Sequence, residues 1–343
     1  KLEDMNAVLR GMGAATLRET LEKRFSVRYA PGCGIIGEDR SGFAAAKEAA
    51  AASDVAVLAL GGNCGWVNVT GGEGKDRASL ELPGVQQELL EAVAAAGKPV
   101  VVVLYGPGIF AVRWAKEHAA AILQAWMPGQ HAGRAVADVL DGTANPGGKL
   151  PVTIPRTVGQ VPIYYNHKVG SGYVGGADAN MAAIFSGGYT DCPADPLYSF
   201  GYGLSYTSFS VDGIVLEQQT VPTNGTVRVS CTVKNTGGSA GSEVLQLYTH
   251  FLDAHVTRPN KSLSGFARVW LEPGEEKRVT FALDTAQLGY YNEDMEFVVE
   301  PGRLDVMLGT SAQNLPLRAQ VQLTGEAVSV LGCRSYTCKN VTQ

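Results

Sequence analysis

Apolar residues recur along this chain in two rhythms, and the change between them falls near residue 209. In the first part, short unbroken apolar runs alternate with segments whose apolar positions recur every three or four residues. Residues 7–24 (AVLRGMGAATLRETLEKR) carry helical spacing, and residues 25–30 read as a short strand ending in the loop PGCGIIGEDRSG. A helix over 43–52 leads into a buried strand over 54–60. There follow a helix over 84–96, a strand over 99–105, a helix over 110–119, a strand over 121–125 and a helix over 131–140. Strands that are continuous apolar runs between helices predict an α/β sandwich: a mostly parallel sheet with helices on both faces. Ligands of such sheets gather at the C-terminal ends of the strands.

Beyond residue 209 the period shortens to two. Alternating stretches at 226–234, 242–251, 276–283, 296–299 and 303–308 are separated by turn clusters such as Asn235 to Gly238 and Pro273-Gly274, the spacing of an antiparallel β-sandwich. The pattern divides the chain into an α/β domain over 1–209, an all-β sandwich over 210–325 and a tail over 326–343.

Composition narrows the functional classes. The 343 residues are 45% hydrophobic and 18% charged with 42 glycines, enough apolar material for two cores and long loops. The formal net charge is −5 and no basic block or aromatic/basic stripe occurs, which argues against nucleic acid and anionic membrane surfaces as partners. The longest apolar runs are strand-sized, far short of a bilayer span. The first residues lack the plan of a signal peptide, so a secreted protein would carry its signal upstream. Sequons at Asn68, Asn224, Asn260 and Asn340 lean towards a secreted, glycosylated protein. The six cysteines show no C-x-x-C spacing, and the five histidines are scattered without ligand spacing, so neither a metal nor another cofactor is expected. Cys333 and Cys338 are close enough to bridge in a C-terminal loop, and Cys231 falls in a strand pattern as a buried thiol.

The chemistry concentrates in residues 71–90, GGEGKDRASLELPGVQQELL. Glu73 stands among Gly71, Gly72 and Gly74, which permit sharp bends, and is followed by Lys75, Asp76 and Arg77. Leu80, Leu82 and Pro83 pin the base of the loop, so a mobile acid sits on a fixed hinge. By itself Glu73 would pass as a solvated loop carboxylate. A dinucleotide-binding turn is the rival for the glycines after the strand (Gly61, Gly62, Gly65). The spacing is not G-x-G-x-x-G, no helix opens directly behind it, and the next strand ends without an acid.

The whole phrase E-G-x-D-R-x-x-L-x-L-P-G-x-Q closely resembles the loop that supplies the general acid/base in the second domain of family-three glycoside hydrolases, the β-glucosidases and β-xylosidases. DGTANPGGKLPVTIP from residue 141, GQVPIYYNHK from 159 and PLYSFGYGLSYTSF from 196 resemble further signatures of that family. VKNTG, RPNKSLSGFARVWLEPGE and VEPGRLDVMLG resemble the fibronectin type III-like domain that ends many members.

The resemblance implies retaining hydrolysis, with Glu73 as acid/base and Asp76 as its rival for that role. Arg77 is expected to shape the loop by pairing with Asp76 or another carboxylate. Long irregular segments in a compact domain are usually functional, so Tyr164, Tyr165, Asn166, His167 and Lys168 either face the sugar or divide into packing tyrosines and a solvated polar trio. Trp66 either stacks on a leaving-group sugar or packs in the loop. In the family the aspartate nucleophile lies on an N-terminal (β/α)8 barrel, and no run of eight strand–helix repeats is present in these residues. The expectation is therefore one chain of an exo-β-glycosidase whose partner chain, from a cut precursor or a second subunit, brings the barrel and the first strand of the α/β sheet. Terminal β-glucose on an oligosaccharide is the first substrate, β-xylose the second; a non-catalytic carbohydrate-binding or structural protein is the reading from a different class.

Overall fold

The computed structural model describes residues 11–64, 68–168 and 189–343. The chain forms two compact units, residues 1–144 with 154–161, and residues 145–153 with 162–343. The first is built on a parallel sheet in the order β1 (Ala56–Gly61), β2 (Val100–Tyr105), β3 (Ala121–Trp126). Its helices are α1 (Leu17–Leu21), α2 (Phe43–Ala51), α3 (Gln86–Ala94), α4 (Arg113–His118) and α5 (Ala132–Leu140). Successive residues of a strand point to opposite faces, and Val102 and Val103 of β2 are both fully buried, so the central strand is covered on both sides. Helix α2 packs beside α3, whereas α1 pairs with α5. The close approach of that second pair rests on Gly133, where a Cβ would lie 2.2 Å from the Ala15 carbonyl oxygen. Thr16 and Glu19 form a reciprocal capping box that starts α1.

Edge strand β1 differs from β2. Ala56, Leu58 and Leu60 are buried, but Val57 is 39% exposed and Val55 just ahead of it 47%. Residues 25–30, expected as a strand, run without strand assignment, and Phe25 and Tyr29 are exposed. A strand exists only through its ladder, and among the described residues this segment has no ladder partner. The opening helix is likewise shorter than its pattern, because the described part reduces to one capped turn and a half.

The second unit is an antiparallel sandwich. One sheet has five strands in the order β5 (Thr220–Pro222), β13 (Leu317–Thr324), β12 (Gly302–Gly309), β7 (Gly241–Phe251), β8 (Ser262–Leu271). The other has four, β15 (Lys339–Thr342), β9 (Glu276–Asp284), β6 (Thr226–Asn235) and β4 (Phe209–Leu216). A small third sheet joins β10 (Tyr290–Tyr291), β11 (Phe297–Val299) and β14 (Val328–Ser329). Val227, Val233, Leu245, Leu271, Phe281 and Leu304 are among the fully buried residues of a core shared by both faces. Beneath it Lys149 Nζ and Glu243 Oε1 form a buried ion pair of 2.7 Å.

The expected disulfide is not formed, and one of the four sequons is engaged in packing. All six cysteines are free thiols, including Cys333 and Cys338. Cys338 turns inwards against the core, 2.8 Å from where a Cβ on Gly265 would stand, while Cys333 is exposed, and burial pushes the Cys338 thiol up to about 11. Asn260 is not a free acceptor for a glycan: its Nδ2 lies 3.0 Å from His167 Nε2 and its Oδ1 is buried. Asn68, Asn224 and Asn340 are exposed.

Candidate active site

The loop that carries Glu73 begins where β1 ends. Gly61 has φ of 126°, and a Cβ there would stand 1.9 Å from the Tyr105 carbonyl oxygen, so only glycine lets the chain leave the sheet at this point. Gln86 locks the exit: its Oε1 accepts from the Gly61 N–H at 2.7 Å, and its Nε2 donates to the Gly61 and Ile35 carbonyls at 2.8 and 2.9 Å. Further on, Thr70 N–H donates to the Asn63 carbonyl at 2.9 Å and Asn63 N–H to Thr70 Oγ1 at 3.0 Å.

The chain then reverses in a tight turn. Gly72 N–H donates to the Lys75 carbonyl at 2.9 Å and Lys75 N–H returns to the Gly72 carbonyl at 3.1 Å, leaving Glu73 and Gly74 at the tip. Gly74 has φ of 64°, the left-handed value that a turn of this kind demands at its third residue. Glu73 is exposed, and its carboxylate has neither a hydrogen bond nor an ion pair with a described residue.

The base of the loop is fixed by Arg77. Its guanidinium lies 4.6 Å from the centroid of the buried Phe110 ring and donates to the Glu81 carbonyl, while burial lowers its pKa. The expected ion pair with Asp76 is not formed; an aromatic face and a carbonyl take the cation instead, and Asp76 stays exposed. Ala111 N–H reaches the Leu80 carbonyl at 2.7 Å and completes the anchorage.

Glu73, Asp76 and Arg77 therefore share one loop, whereas His167 and Lys168 belong to the second unit and Trp66 lies outside the described residues. There Asn260 N–H donates to the His167 carbonyl at 2.9 Å, and Tyr165 stacks on Phe200 at 4.5 Å against a buried cluster.

Several neighbours of the loop were not singled out from the sequence. Cys64 Sγ lies 3.3 Å from Met127 Sδ, and a Cβ on Gly72 would stand 3.0 Å from Cys64 Cβ, so the turn rests against the end of β3. Trp126 closes β3 at φ of 55°, a backbone state that costs a non-glycine residue about 1 kcal/mol and tends to mark functional edges. A cavity of about 300 Å³ opens beside Tyr105, lined by Thr16, Glu19, Gln130 and Gly133, and Glu73 does not line it. The acid is exposed at the tip of its turn.

Comparison with known proteins decides the ancestry. Residues 4–206 match the glycosyl hydrolase family 3 C-terminal domain and residues 243–312 the fibronectin type III-like domain. This chain belongs to glycosyl hydrolase family 3. Among curated relatives, a beta-xylosidase of Formosa agariphila is 40% identical over 87% of this chain and 39% of its own length. A periplasmic beta-glucosidase of Salmonella typhimurium is 38% identical over 78% of the chain and 34% of its own length. The solved beta-glucosidase of Listeria innocua in complex with glucose superposes with a TM-score of 0.83 at 35% identity, covering 92% of this chain and 43% of that one. The family 3 chain thus spans about two-fifths of the length of these relatives. Its architecture is an α/β sandwich followed by an all-β fibronectin type III-like sandwich.

Proposed function

We propose that this chain supplies the general acid/base of a retaining exo-β-glycosidase acting on terminal β-linked glucose of short oligosaccharides, opposite an aspartate nucleophile on a (β/α)8 barrel outside these residues. The observation that carries the reading is the state of Glu73: an unpartnered carboxylate at the tip of a two-residue turn whose base is held by Gln86 and Arg77. A group so placed reaches a sugar bound elsewhere without first breaking an ion pair.

In the first step the barrel aspartate attacks the anomeric carbon and Glu73 delivers its proton to the departing glycosidic oxygen. In the second, ionised Glu73 takes a proton from water, which displaces the aspartate from the glycosyl intermediate. The two carboxyl groups must then stand about 5 Å apart in the assembled site. Lys75 and Asp76, exposed on either side of the approach, are the groups closest in sequence that tune the loop's charge. His167 and Lys168 are kept as sugar-facing candidates in the assembled enzyme, with Trp66 beside the leaving group.

The barrel-bearing part is also the natural owner of a further strand. Edge strand β1 has one apolar face open at Val55 and Val57, and residues 25–30 carry no strand assignment. A further parallel strand from that part extends the ladder beyond β1. Export from the cytoplasm fits the periplasmic designation of the Salmonella relative, the exposed sequons and the lack, among the described residues, of a helix long and apolar enough to cross a membrane. A β-xylosidase is the second reading, favoured by the identity to the Formosa relative; a single hydroxymethyl group at C5 separates the two substrates.

The direct test is reconstitution. Turnover of an aryl β-glucoside is expected only when this chain is combined with a barrel-bearing portion of the same enzyme. Full activity of the isolated chain would overturn the proposal.

A further inference from the structure

A second cavity, of about 450 Å³, lies within the β-sandwich unit and is within the size range of small-molecule sites, about 300–1,000 Å³. Its apolar wall is made by Phe251, Tyr290 and Phe297, all buried. Two cations stand over these rings. The Arg258 guanidinium is 4.4 Å from the Tyr290 centroid, and that of Arg334 is 4.9 Å from the Phe297 centroid.

Among the described residues these two arginines have no anion, in contrast to several arginines elsewhere in the chain. Arg303 holds Asp253 at 2.6 Å, Arg24 holds Asp138 and Asp141 at 2.5 Å, and Arg40 holds Glu88 at 2.6 Å. Arg258 and Arg334 make no ion pair or hydrogen bond with a described residue. Glu300 is engaged elsewhere: it accepts from the Tyr290 hydroxyl and lies 3.2 Å from His255 Nδ1. Arg258 is moreover partly buried, and a cation withdrawn from water without a counter-ion is unfavourable until a ligand supplies one.

A third lining residue adds a different demand. Gln287 Nε2 donates to the Ser264 carbonyl at 2.7 Å, while its Oε1 is buried and without a partner, so it calls for a donor. The cavity therefore offers two guanidinium groups to an anion, one amide oxygen to a hydroxyl and aromatic faces to a ring.

We propose that this cavity is a binding site for a carboxylate-bearing sugar of monosaccharide size, a hexuronate. Its carboxylate pairs with Arg258 and Arg334, a ring hydroxyl donates to Gln287, and its C–H face lies on Tyr290 or Phe297. A neutral sugar leaves both cations unpaired, and an aromatic carboxylate leaves Gln287 Oε1 unsatisfied. The site is separate from the Glu73 loop and does not depend on the glycosidase reading.

Calorimetric titration of the full chain with sodium glucuronate, glucose and benzoate tests this. Glucuronate is expected to bind at least about tenfold more tightly than either control, since one charge-assisted hydrogen bond is worth about that factor. Arg258→Gln and Arg334→Ala are each expected to weaken glucuronate by about tenfold at an unchanged melting temperature, while Glu73→Gln leaves it unaltered. Equal binding of glucose and glucuronate, no binding of glucuronate at tens of millimolar, or wild-type affinity in both arginine variants would overturn the assignment. Should Arg258→Gln fail to fold, the ranking of the three ligands and the exposed Arg334 position still decide it.

Discussion

Arg77 shows how one side chain converts a glycine-rich stretch into a platform. Its guanidinium is held over Phe110 and by the Glu81 carbonyl, so removing it frees the base of the Glu73 turn without touching the acid. Arg77→Ala in the reassembled enzyme is expected to lower kcat by about tenfold or more, because a small misplacement of a catalytic group is costly, with Arg77→Lys recovering only part of the loss. Kinetics on an aryl glycoside check this; wild-type kcat in Arg77→Ala would show the anchor to be dispensable. In the second unit, breaking the buried Lys149–Glu243 pair by Glu243→Ala leaves an uncompensated cation and is expected to cost about 3 kcal/mol in chemical denaturation.

Charge also sets a dependence on pH. The Arg303 guanidinium, with the Arg303 N–H, holds Asp253 at about 2, below the ordinary carboxylate range. A depressed folded-state pKa stabilises above the unfolded value and loses that contribution as pH falls towards the folded one. The melting temperature of Asp253→Asn is therefore expected to lie below wild type at neutral pH, the gap closing between about pH 4 and pH 2. A gap that persists unchanged at pH 2 would contradict the assignment.

At the scale of elements, legibility followed burial. β2 was readable because an unbroken apolar run has one explanation when both faces are covered, and β9 because it alternates against the core; β6, β7 and β12 were readable from their sequence alternation, although β7 and much of β12 are buried on both faces. β8 was missed since it carries Phe266 and Trp270 on its exposed face and so lacks a polar side to alternate with. Residues 25–30 failed in the opposite sense: the composition of a strand is present, but among the described residues it has no ladder partner. Amide hydrogens of residues 25–30 and of the open edge of β1 are expected to exchange rapidly in the isolated chain and to slow on reassembly. Unchanged exchange would exclude strand insertion there. The C-terminal tail was misread because cysteine spacing suggested a bridge, whereas its fastening is backbone: β15 pairs with β9, and Gln343 and Arg278 exchange hydrogen bonds of 2.9 and 2.8 Å. Thiol titration in denaturant without reductant is expected to find all six cysteines reactive; four would restore a disulfide.

For the whole molecule, the motif at residues 73–86 was legible as a built loop before any coordinates, since its glycine, arginine and glutamine each have a mechanical role in it. The surroundings of that loop were not legible. Phe110, Cys64 and Met127 reach the loop from distant positions through the sheet, and no local pattern announces such contacts.

The most direct test lies in the leaving-group dependence of Glu73→Gln in the reassembled enzyme. The expected result is glycosylation by a dinitrophenyl β-glucoside within about tenfold of wild type, beside a loss of about a hundredfold or more on a disaccharide, whose departing oxygen needs the proton. A variant that hydrolyses the disaccharide at the wild-type rate would place the acid/base elsewhere.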